Sequence, residues 1–308
     1  MTNPLSLDAL EVLDAIDRCG SFAAAGEELH RVPSAISYTV QKLEERLDIE
    51  IFDRSHQRAR LTAAGRHLLD HGRELLRAST ALARDVREIE RGWEPQLRIA
   101  VDALFPIHPL YPLIDRFHAE GGPTRLSVHE EVLGGTWEAL RLGRAELVIG
   151  AASRPSLPDV RTRSIGEVES VFCCAPEHPL ANAEQPVAPE TIREHYAIAV
   201  ADSSRASPPL TTGLLDDQLT LTVDSMSQKI EAQVAGLGVG FLPSHRIRDQ
   251  LADGRLVTIE LMTPRPTFTT WMGWRAGHEG RALEWFLRAL DPPLPFSNLL
   301  GQNPASGP

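Results

Sequence analysis

The chain has 308 residues, of which 42% are hydrophobic and 24% are charged, a composition typical of a globular protein with more than one compact unit. No apolar run approaches the roughly 18 residues that a membrane span needs, and the amino terminus lacks the pattern of a secretory signal. A net charge of −11 argues, taken alone, against a nucleic-acid partner. The cysteines Cys19, Cys173 and Cys174 do not form a disulfide framework, which predicts a reducing, cytoplasmic location.

The amino-terminal segment is predicted to contain three short helices. Apolar residues at helical spacing from Leu7 predict the first helix, and Gly20 ends it. Ser21 is placed to cap a second helix that runs to about Leu29. After a short turn, Pro33 suits the first position of a third helix.

The third predicted helix has two different sides. Its buried stripe consists of Ile36, Val40, Leu43 and Leu47. Its opposite side is polar and carries a single charge, and it comprises Ser34, Ser37, Tyr38, Gln41 and Lys42. Serine and glutamine side chains bond base edges or phosphate, and lysine neutralises phosphate. The pattern predicts a recognition helix for DNA, with an ordinary surface helix as the alternative.

Basic residues cluster shortly after this helix. Positions 54–66 contain no acidic residue and include the arginines Arg54, Arg58, Arg60 and Arg66. We expect an arginine-rich hairpin that binds phosphates while the acidic body points away. A solvated basic surface without a ligand is the alternative explanation.

Several motifs follow one another in residues 21–65: Ser21-Phe-Ala-Ala-Ala, Ser34-Ala-Ile-Ser, Leu43-Glu-Glu-Arg-Leu, Ile51-Phe-Asp-Arg and Leu61-Thr-Ala-Ala-Gly. Together they resemble the LysR-type transcriptional regulators, and the layout of nearly the whole chain is similar to that family. The resemblance implies a winged helix-turn-helix that binds double-stranded promoter DNA. It also implies a small-molecule effector, self-association into a dimer and then a tetramer, and RNA polymerase as a further candidate partner.

By this resemblance Ser34, Ser37 and Gln41 face bases, and Arg54 with its neighbours in the wing grips the backbone or minor groove. The remaining candidates for DNA contact are Ser21, Arg31, Pro33, Tyr38, Lys42, Arg58 and Arg60. The chain departs from the family pattern where Val32 and Pro33 replace a common Thr-Gln pair, and where Gln57 replaces an arginine. These departures affect the base preference rather than DNA binding itself.

A long linker helix is predicted over residues 63–91, after the DNA-binding domain of residues 1–62. Its apolar residues recur every three or four positions, with small residues on the same seam: Leu68, Gly72, Leu75, Ser79, Leu82, Val86 and Ile89. A second copy of the helix is the natural partner for such a stripe, so we expect a dimer. Packing on the helix's own domain is the alternative.

Beyond a Gly92-Trp-Glu-Pro hinge, strands and helices alternate, which predicts mostly parallel sheets covered by helices. We expect an α/β, two-lobed, periplasmic-binding-protein-like effector domain, preceded by a mainly α winged helix-turn-helix and the linker helix. The predicted effector domain covers residues 92–293, with lobe I at about 95–165 and 267–293, lobe II at about 166–266, and a disordered tail at 294–308. One strand of lobe II is predicted at Val168–Ala175.

Ligands of such domains bind beyond the carboxyl ends of the strands, between the lobes. The candidate effector-binding residues follow the predicted strands: Asp102, Ala103, Leu104, Phe105, Leu133, Ala151, Asp202, Ser203, Ser225, Met226, Phe241 and Pro243. Leu104, Leu133, Met226 and Phe241 would supply apolar walls, and the helix amides at Ser225 suit an anion. We therefore expect a small aromatic or carboxylated effector.

Other chemistries have weaker support in the sequence. Asp102 and Asp202 could form a catalytic pair, but nothing places a substrate between them. We predict no catalytic residue, no cofactor and no metal site. Cys173 and Cys174 lie in an apolar strand with Glu169 close by, which opposes a reactive thiol. A redox-sensing regulator that uses this cysteine pair, and an α/β enzyme or solute-binding protein with a helical dimerisation arm, are the alternatives to a ligand-responsive regulator.

Overall fold

The computed structural model describes residues 4–53, 59–155, 157–262, 267–277 and 280–291. The chain divides into two compact units, Met1–Glu90 and Arg91–Pro308. Among the helices in the described ranges, none combines the length and hydropathy that a membrane crossing requires.

The amino-terminal unit is built from four helices and a small hairpin. These elements are α1 Leu7–Cys19, α2 Phe22–Glu28, α3 Pro33–Leu47, β1 Phe52–Asp53, β2 Arg60–Leu61 and α4 Ala63–Glu90. The three short helices and the long helix are confirmed, with ends within a few residues of the predicted ones. The described part of the hairpin is also confirmed, because β1 pairs antiparallel with β2.

The helix ends follow from the residues at the caps. Gly20 ends α1 with a φ of 75°, a left-handed conformation that glycine adopts without strain. The Ser21 hydroxyl accepts the N–H of Ala24 at 3.1 Å and so caps α2. Val32 precedes α3 without a side-chain cap, and Pro33 fills the first helical position.

The apolar sides of α1, α3 and the first half of α4 form the core of this unit. Its fully buried residues include Leu10, Val12, Leu13, Ile16, Ile36, Ile51 and Leu69. Gly65 allows α4 to begin against the chain that enters the hairpin, because a Cβ there would overlap the carbonyl oxygen of Ile51. Every larger residue at position 65 would push these two segments apart.

Ion pairs join α1 to α4 along the edge of this core. Arg73 Nε donates to Asp14 at 2.7 Å, and its Nη2 donates to Asp17 at 2.9 Å. Asp17 also accepts from Arg66 at 3.1 Å. Arg66, the last arginine of the basic run, therefore belongs to the scaffold.

The carboxy-terminal unit is a mixed α/β domain. Its strands are β3 Gln96–Asp102, β4 Arg125–Glu131, β5 Leu147–Ala151, β6 Val160–Cys174, β7 Ala197–Val200, β8 Thr220–Val223, β9 Gly240–Pro243, β10 Val257–Thr258 and β11 Thr267–Arg275. Its α-helices are α5 Tyr111–Ala119, α6 Gly134–Arg141, α7 Pro189–Arg193, α8 Met226–Val234, α9 Arg248–Ala252 and α10 Arg281–Ala289. Short 3-10 helices occur at His108–Leu110, Pro179–Asn182 and Ser244–Arg246.

Two lobes share one long strand. In the first lobe the strand order is β6-β11-β5-β3-β4, with β3 parallel to β4 and β5. In the second lobe β6 pairs antiparallel with β9 and β10, and β7 pairs parallel with β8. The prediction of mostly parallel sheets is wrong at β6 and β11, which run antiparallel to each other and connect the lobes in opposite directions.

The shared strand is longer than the sequence predicts. A strand was expected at Val168–Ala175, whereas β6 begins at Val160 and has 15 residues. Its polar first half pairs with β11, about a hundred positions later in the chain, so no local apolar pattern marks it. The expected lobe boundary near residue 165 therefore falls inside a continuous strand.

Candidate nucleic-acid interface and ligand cavity

The predicted recognition side of α3 faces solvent. Its members are all exposed: Ser34, Ser37, Tyr38, Gln41 and Lys42. On the opposite side, Ile36, Val40 and Leu43 are at most 4% exposed. The helix is therefore anchored by its apolar side and presents a hydrogen-bonding side on which Lys42 is the single charge.

The contacts of these exposed side chains are local. Ser37 Oγ donates to the carbonyl oxygen of Pro33 at 3.1 Å, and Gln41 Nε2 donates to Glu45 at 3.0 Å. Lys42 Nζ lies 5.7 Å from the centre of the Tyr38 ring. Such exposed contacts within one helix exchange readily with water or with a DNA edge.

The other candidates for DNA contact differ in exposure and in whether they already form an ion pair. Arg60 is exposed in the hairpin, opposite Asp53. Arg31 is exposed but ion-paired, since its Nη2 lies 2.6 Å from an Asp8 oxygen. The predicted wing residues Arg54 and Arg58 lie outside the described residues.

Glu44 is a structural residue of this interface that the sequence interpretation missed. It is 8% exposed, and its Oε1 accepts the backbone N–H groups of Ile51 at 2.7 Å and Phe52 at 3.3 Å. The spacing in the sequence could have predicted this burial, because Glu44 follows Val40 by one helical turn and so lies on the buried side of α3. Through Glu44, the recognition helix holds the start of the hairpin.

The carboxy-terminal unit contains a cavity of about 520 Å³, a size typical of small-molecule sites. It lies where β3, β7 and β9 end. Its lining residues are Asp102, Ala103, Leu104, Val132, Leu133, Ala152, Ser170, Ala199, Val200, Thr211, Thr212, Gly213, Met226, Lys229, Phe241, Pro243 and Phe268. Most of these side chains are apolar, so the cavity suits a compact ligand with few polar groups.

Seven of the twelve predicted effector residues line this cavity: Asp102, Ala103, Leu104, Leu133, Met226, Phe241 and Pro243. The other five do not. Phe105 is fully buried in the core of the first lobe, and Ala151 is 1% exposed inside β5. Ser225 caps α8 by accepting the N–H of Gln228, so its hydroxyl serves the helix.

Asp202 and Ser203 belong to a segment between β7 and β8, residues 201–213, which we call the strap. The Asp202 carboxylate accepts the N–H groups of Gly135, Ser204 and Leu210 at 3.2, 2.8 and 2.7 Å. Ser203 Oγ accepts the N–H of Val132 at 2.8 Å. Asp202 is therefore not a lining residue of the cavity, and its carboxylate serves backbone amides of the strap and of the first lobe.

A second carboxylate also holds the strap from the first lobe. Glu138, on α6, accepts the N–H groups of Arg205 at 2.6 Å and Ala206 at 2.9 Å. These backbone hydrogen bonds hold the pKa of the Glu138 carboxyl below its usual range. The strap thus lies across both lobes, and its last residues, Thr211 to Gly213, form part of the cavity wall.

Asp102 sits in the cavity wall at the end of β3. It is 4% exposed, and it accepts the N–H of Leu104 at 3.0 Å and the hydroxyl of Thr136 at 2.7 Å. Burial raises the pKa of Asp102 to about 7, despite these two hydrogen bonds. The group is therefore partly protonated at neutral pH.

The cavity wall at Ala103 and Leu104 is also held from the second lobe. Arg246 Nη1 donates to the carbonyl oxygen of Ala103 at 2.7 Å, and His245 Nε2 lies 2.8 Å from that of Leu104. Burial lowers the pKa of His245 to about 4, so the ring is neutral at pH 7. Because a carbonyl only accepts, we assign the ring proton to Nε2.

Several cavity residues were missed because they do not follow a predicted strand end. Lys229 lies within α8, Phe268 lies on the returning strand β11, and Thr211 to Gly213 belong to the irregular strap. The strap has no periodic sequence pattern, so the sequence does not predict its position. Contacts with the first lobe set that position instead.

The paired cysteines are inert by geometry. Cys173 and Cys174 are fully buried, and burial raises their pKa values to about 12 and about 11. A redox-sensing thiol needs exposure and a lowered pKa. The structure thus argues against the redox alternative. In the described ranges, no three His, Cys, Asp or Glu side chains are grouped as metal ligands.

Comparison with known proteins identifies both units. Residues 7–66 match the family model of the bacterial regulatory helix-turn-helix protein, lysR family, and residues 90–292 match that of the LysR substrate binding domain. The chain is 44% identical to a probable HTH-type transcriptional regulator of Escherichia coli K12, YhaJ, over 93% of this chain and 96% of that protein. It is 37% identical to the HTH-type transcriptional regulator PunR of the same organism, with 92% and 91% covered.

Solved structures share the fold. A Corynebacterium glutamicum OxyR C206 mutant superposes with a TM-score of 0.59 at 17% identity, covering 98% of each chain. The full-length Vibrio cholerae virulence activator AphB, a member of the LTTR protein family, gives 0.50 at 18% identity, covering 92% of this chain and 98% of that one. The relatives are transcriptional regulators, which excludes the enzyme alternative. The chain therefore belongs to the LysR family: it is a DNA-binding transcriptional regulator whose carboxy-terminal domain responds to a small-molecule effector.

Proposed function

We propose that the protein binds promoter DNA in the cytoplasm through the exposed side of α3. The observation that carries this proposal is the separation of a solvent-facing polar side from a sealed apolar side on one helix. Ser34, Ser37 and Gln41 are the residues that would contact base edges in the major groove. Lys42 and Arg60 would neutralise phosphates, and the partner of Arg31 would change from Asp8 to phosphate.

Dimerisation through α4 follows from a second exposed feature. From Leu75 onward this helix carries a linker stripe of Leu75, Leu82, Val86 and Ile89, which are 50 to 65% exposed in the single chain. Only the first half of α4 packs on its own domain, at Leu69 and Gly72. Pairing two stripes would remove this apolar surface from water and supply two recognition helices. Two dimers would then form a tetramer.

The effector would bind in the 520 Å³ cavity of the carboxy-terminal domain. Leu104, Leu133, Met226, Phe241 and Phe268 supply apolar walls, which favour a small aromatic or carboxylated molecule. The strap and both lobes contribute to the wall of this cavity. A ligand that binds one relative arrangement of the lobes more tightly than another shifts the equilibrium toward that arrangement. RNA polymerase is the further partner through which a promoter-bound regulator would act.

Footprinting of the full chain on genomic DNA fragments tests the first part. We expect two protected half-sites related by two-fold symmetry, with centres separated by whole turns of about 10 base pairs. A thermal-shift screen of small aromatics and carboxylates tests the second part. Protection at a single unsymmetrical site, or ligands that leave the footprint unchanged, would contradict the proposal.

A further inference from the structure

The cavity is lined by a buried lysine for which the described residues provide no counter-ion. Lys229, on α8, lines the cavity and is 8% exposed. Among the described residues, Cys173 acts electrostatically on its ammonium group and no carboxylate does. A charge that is buried without a partner destabilises a protein, so its presence indicates a functional role such as ligand binding.

The choice of lysine at this position is unusual for this chain. Of 31 basic residues, two are lysines, Lys42 and Lys229. Lys42 is exposed on α3, whereas arginine fills the other basic positions. Lysine is a compact point charge that can lose its proton when buried, whereas arginine stays charged. Burial lowers the pKa of Lys229 to about 8.

A second donor lies beside this ammonium group. Gln233, one helical turn further along α8, is fully buried, and its Nε2 has no hydrogen-bond partner in the described structure. A Cβ built on Gly240 would lie 2.9 Å from Gln233 Nε2 and 3.5 Å from Lys229 Nζ. Gln233 Nε2 and Lys229 Nζ thus lie on the same side of β9, where the absence of a side chain at Gly240 leaves room for both.

The distribution of polar groups in the cavity favours an anion beside Lys229 rather than beside Asp102. Asp102, in the wall formed by β3, would repel an anion, and its oxygens already accept from Leu104 and Thr136. The remaining polar side chains of the wall, Ser170, Thr211 and Thr212, are uncharged, and the other lining residues are apolar. One cation in apolar surroundings balances one negative charge, which favours a carboxylate over a phosphate dianion.

We propose that Lys229 is the counter-ion of a carboxylate effector with an apolar or aromatic body. The inference rests on the proposed binding of the effector in this cavity. Lys229 holds the carboxylate group, and Phe241 and Phe268 cover the body of the ligand. The ammonium group thereby acquires the counter-ion that the described residues do not provide.

Matched ligand pairs test this assignment on the full chain. Benzoate, phenylacetate and indole-3-acetate are compared with benzamide, phenylacetamide and indole-3-acetamide in thermal-shift and calorimetric titrations. We expect at least one carboxylate to stabilise the wild type and its amide to bind at least tenfold more weakly. Lys229→Met removes this preference, whereas Glu231→Met, at an exposed position of the same helix, retains it.

The stability of the free variant separates a binding role from a structural one. Methionine has a similar length and no charge, so free Lys229→Met should melt at the same temperature as the wild type or higher. A lower melting temperature, or loss of folding, would show that the ammonium group supports the fold and would overturn the inference.

Nuclear magnetic resonance of the wild type provides a readout that requires no variant in the cavity. With lysine labelled with carbon-13 at Cε, the two lysines give two signals, and Lys42→Arg assigns them. We expect the Lys229 signal to titrate near pH 8 in the free protein and at higher pH with bound carboxylate. Equal binding of acids and amides, or an unchanged Lys229 titration, overturns the anion assignment and leaves the cavity as an effector site. If no compound of either series shifts the wild type or its Lys229 signal, effector binding in this cavity is itself contradicted.

Discussion

The carboxylate of Glu44 accepts the backbone N–H of Ile51 at 2.7 Å, across the turn that follows α3. The same oxygen lies 3.3 Å from the nitrogen of Phe52. A side chain of the recognition helix therefore sets where the hairpin begins. This carboxylate thus helps to set the spacing between the helix, which would contact bases, and the hairpin, which would bind phosphates.

Replacing Glu44 with alanine should destabilise the amino-terminal unit and weaken its binding to all DNA. Two buried N–H groups lose their acceptor, which corresponds to roughly 2–4 kcal/mol. Urea denaturation of the full chain measures the loss of stability, and fluorescence anisotropy with specific and random duplexes measures binding. Glu50→Ala, at an exposed position before the hairpin, is the control and should resemble the wild type. A Glu44→Ala variant of unchanged stability would refute this role.

Ser37→Ala and Gln41→Ala should reduce discrimination between DNA sequences. Each removes a side chain that, in the proposed complex, would hydrogen-bond a base edge; a good bidentate contact of this kind contributes about 1–3 kcal/mol of discrimination. Arg54→Ala should instead weaken binding to every sequence and lower the salt slope by about one. Titrations at several salt concentrations distinguish the two effects. Equal losses on specific and random DNA for Gln41→Ala are incompatible with base readout.

Leu82→Asp should convert the protein to monomers. The side chain is 65% exposed in the centre of the linker stripe, and a carboxylate there would be buried in a paired helix. Sedimentation velocity measures the mass, and we expect operator affinity to fall together with it. Arg84→Asp introduces the same group away from the stripe and should leave the dimer intact. A dimeric Leu82→Asp protein would show that the subunits associate elsewhere.

Asp102→Asn should change how stability depends on pH. The pKa of Asp102 is raised from 3.8 to about 7 in the folded chain, so the folded state binds the proton more tightly than the unfolded state. The wild type therefore loses stability as the pH rises from about 4 to 7, by at most about 4 kcal/mol. Asparagine keeps an acceptor for Leu104 and carries no charge.

The melting temperature of Asp102→Asn, relative to the wild type, should thus increase between pH 5 and pH 8. Calorimetry of both proteins across this range measures the difference. The comparison cancels the contributions of other groups, such as His245, whose lowered pKa acts in the opposite direction. Parallel curves would mean that Asp102 stays ionised throughout.

Local patterns were sufficient to predict the amino-terminal unit. The Ser21 cap, Pro33 at the first position of α3 and a regular apolar stripe define its helices, and these signals lie within a few residues of one another. The same is true of the cavity residues that directly follow a strand, such as Ala103 and Leu104. Where the chemistry of a residue acts on its neighbours in sequence, the sequence predicts its place.

The missed features depend on contacts between distant parts of the chain. Asp202 follows a strand as expected, but its carboxylate bonds to Gly135 and Leu210. Lys229 has an ordinary position in a helical pattern, and only the packing of α8 brings its ammonium group into the cavity. Such roles have no local signature.

The strand β6 runs without interruption from Val160 to Cys174, pairing with β11 through its first ten residues and with β9 and β10 through its last five. Since its ladder continues from one lobe into the other, the lobes cannot slide past each other without breaking backbone hydrogen bonds. The register of β11 shifts between Thr270 and Trp271, and a bulge of this kind bends a strand locally. We therefore expect effector binding to change the curvature of the shared sheet. One lobe would tilt relative to the other while the backbone hydrogen bonds of β6 stay intact.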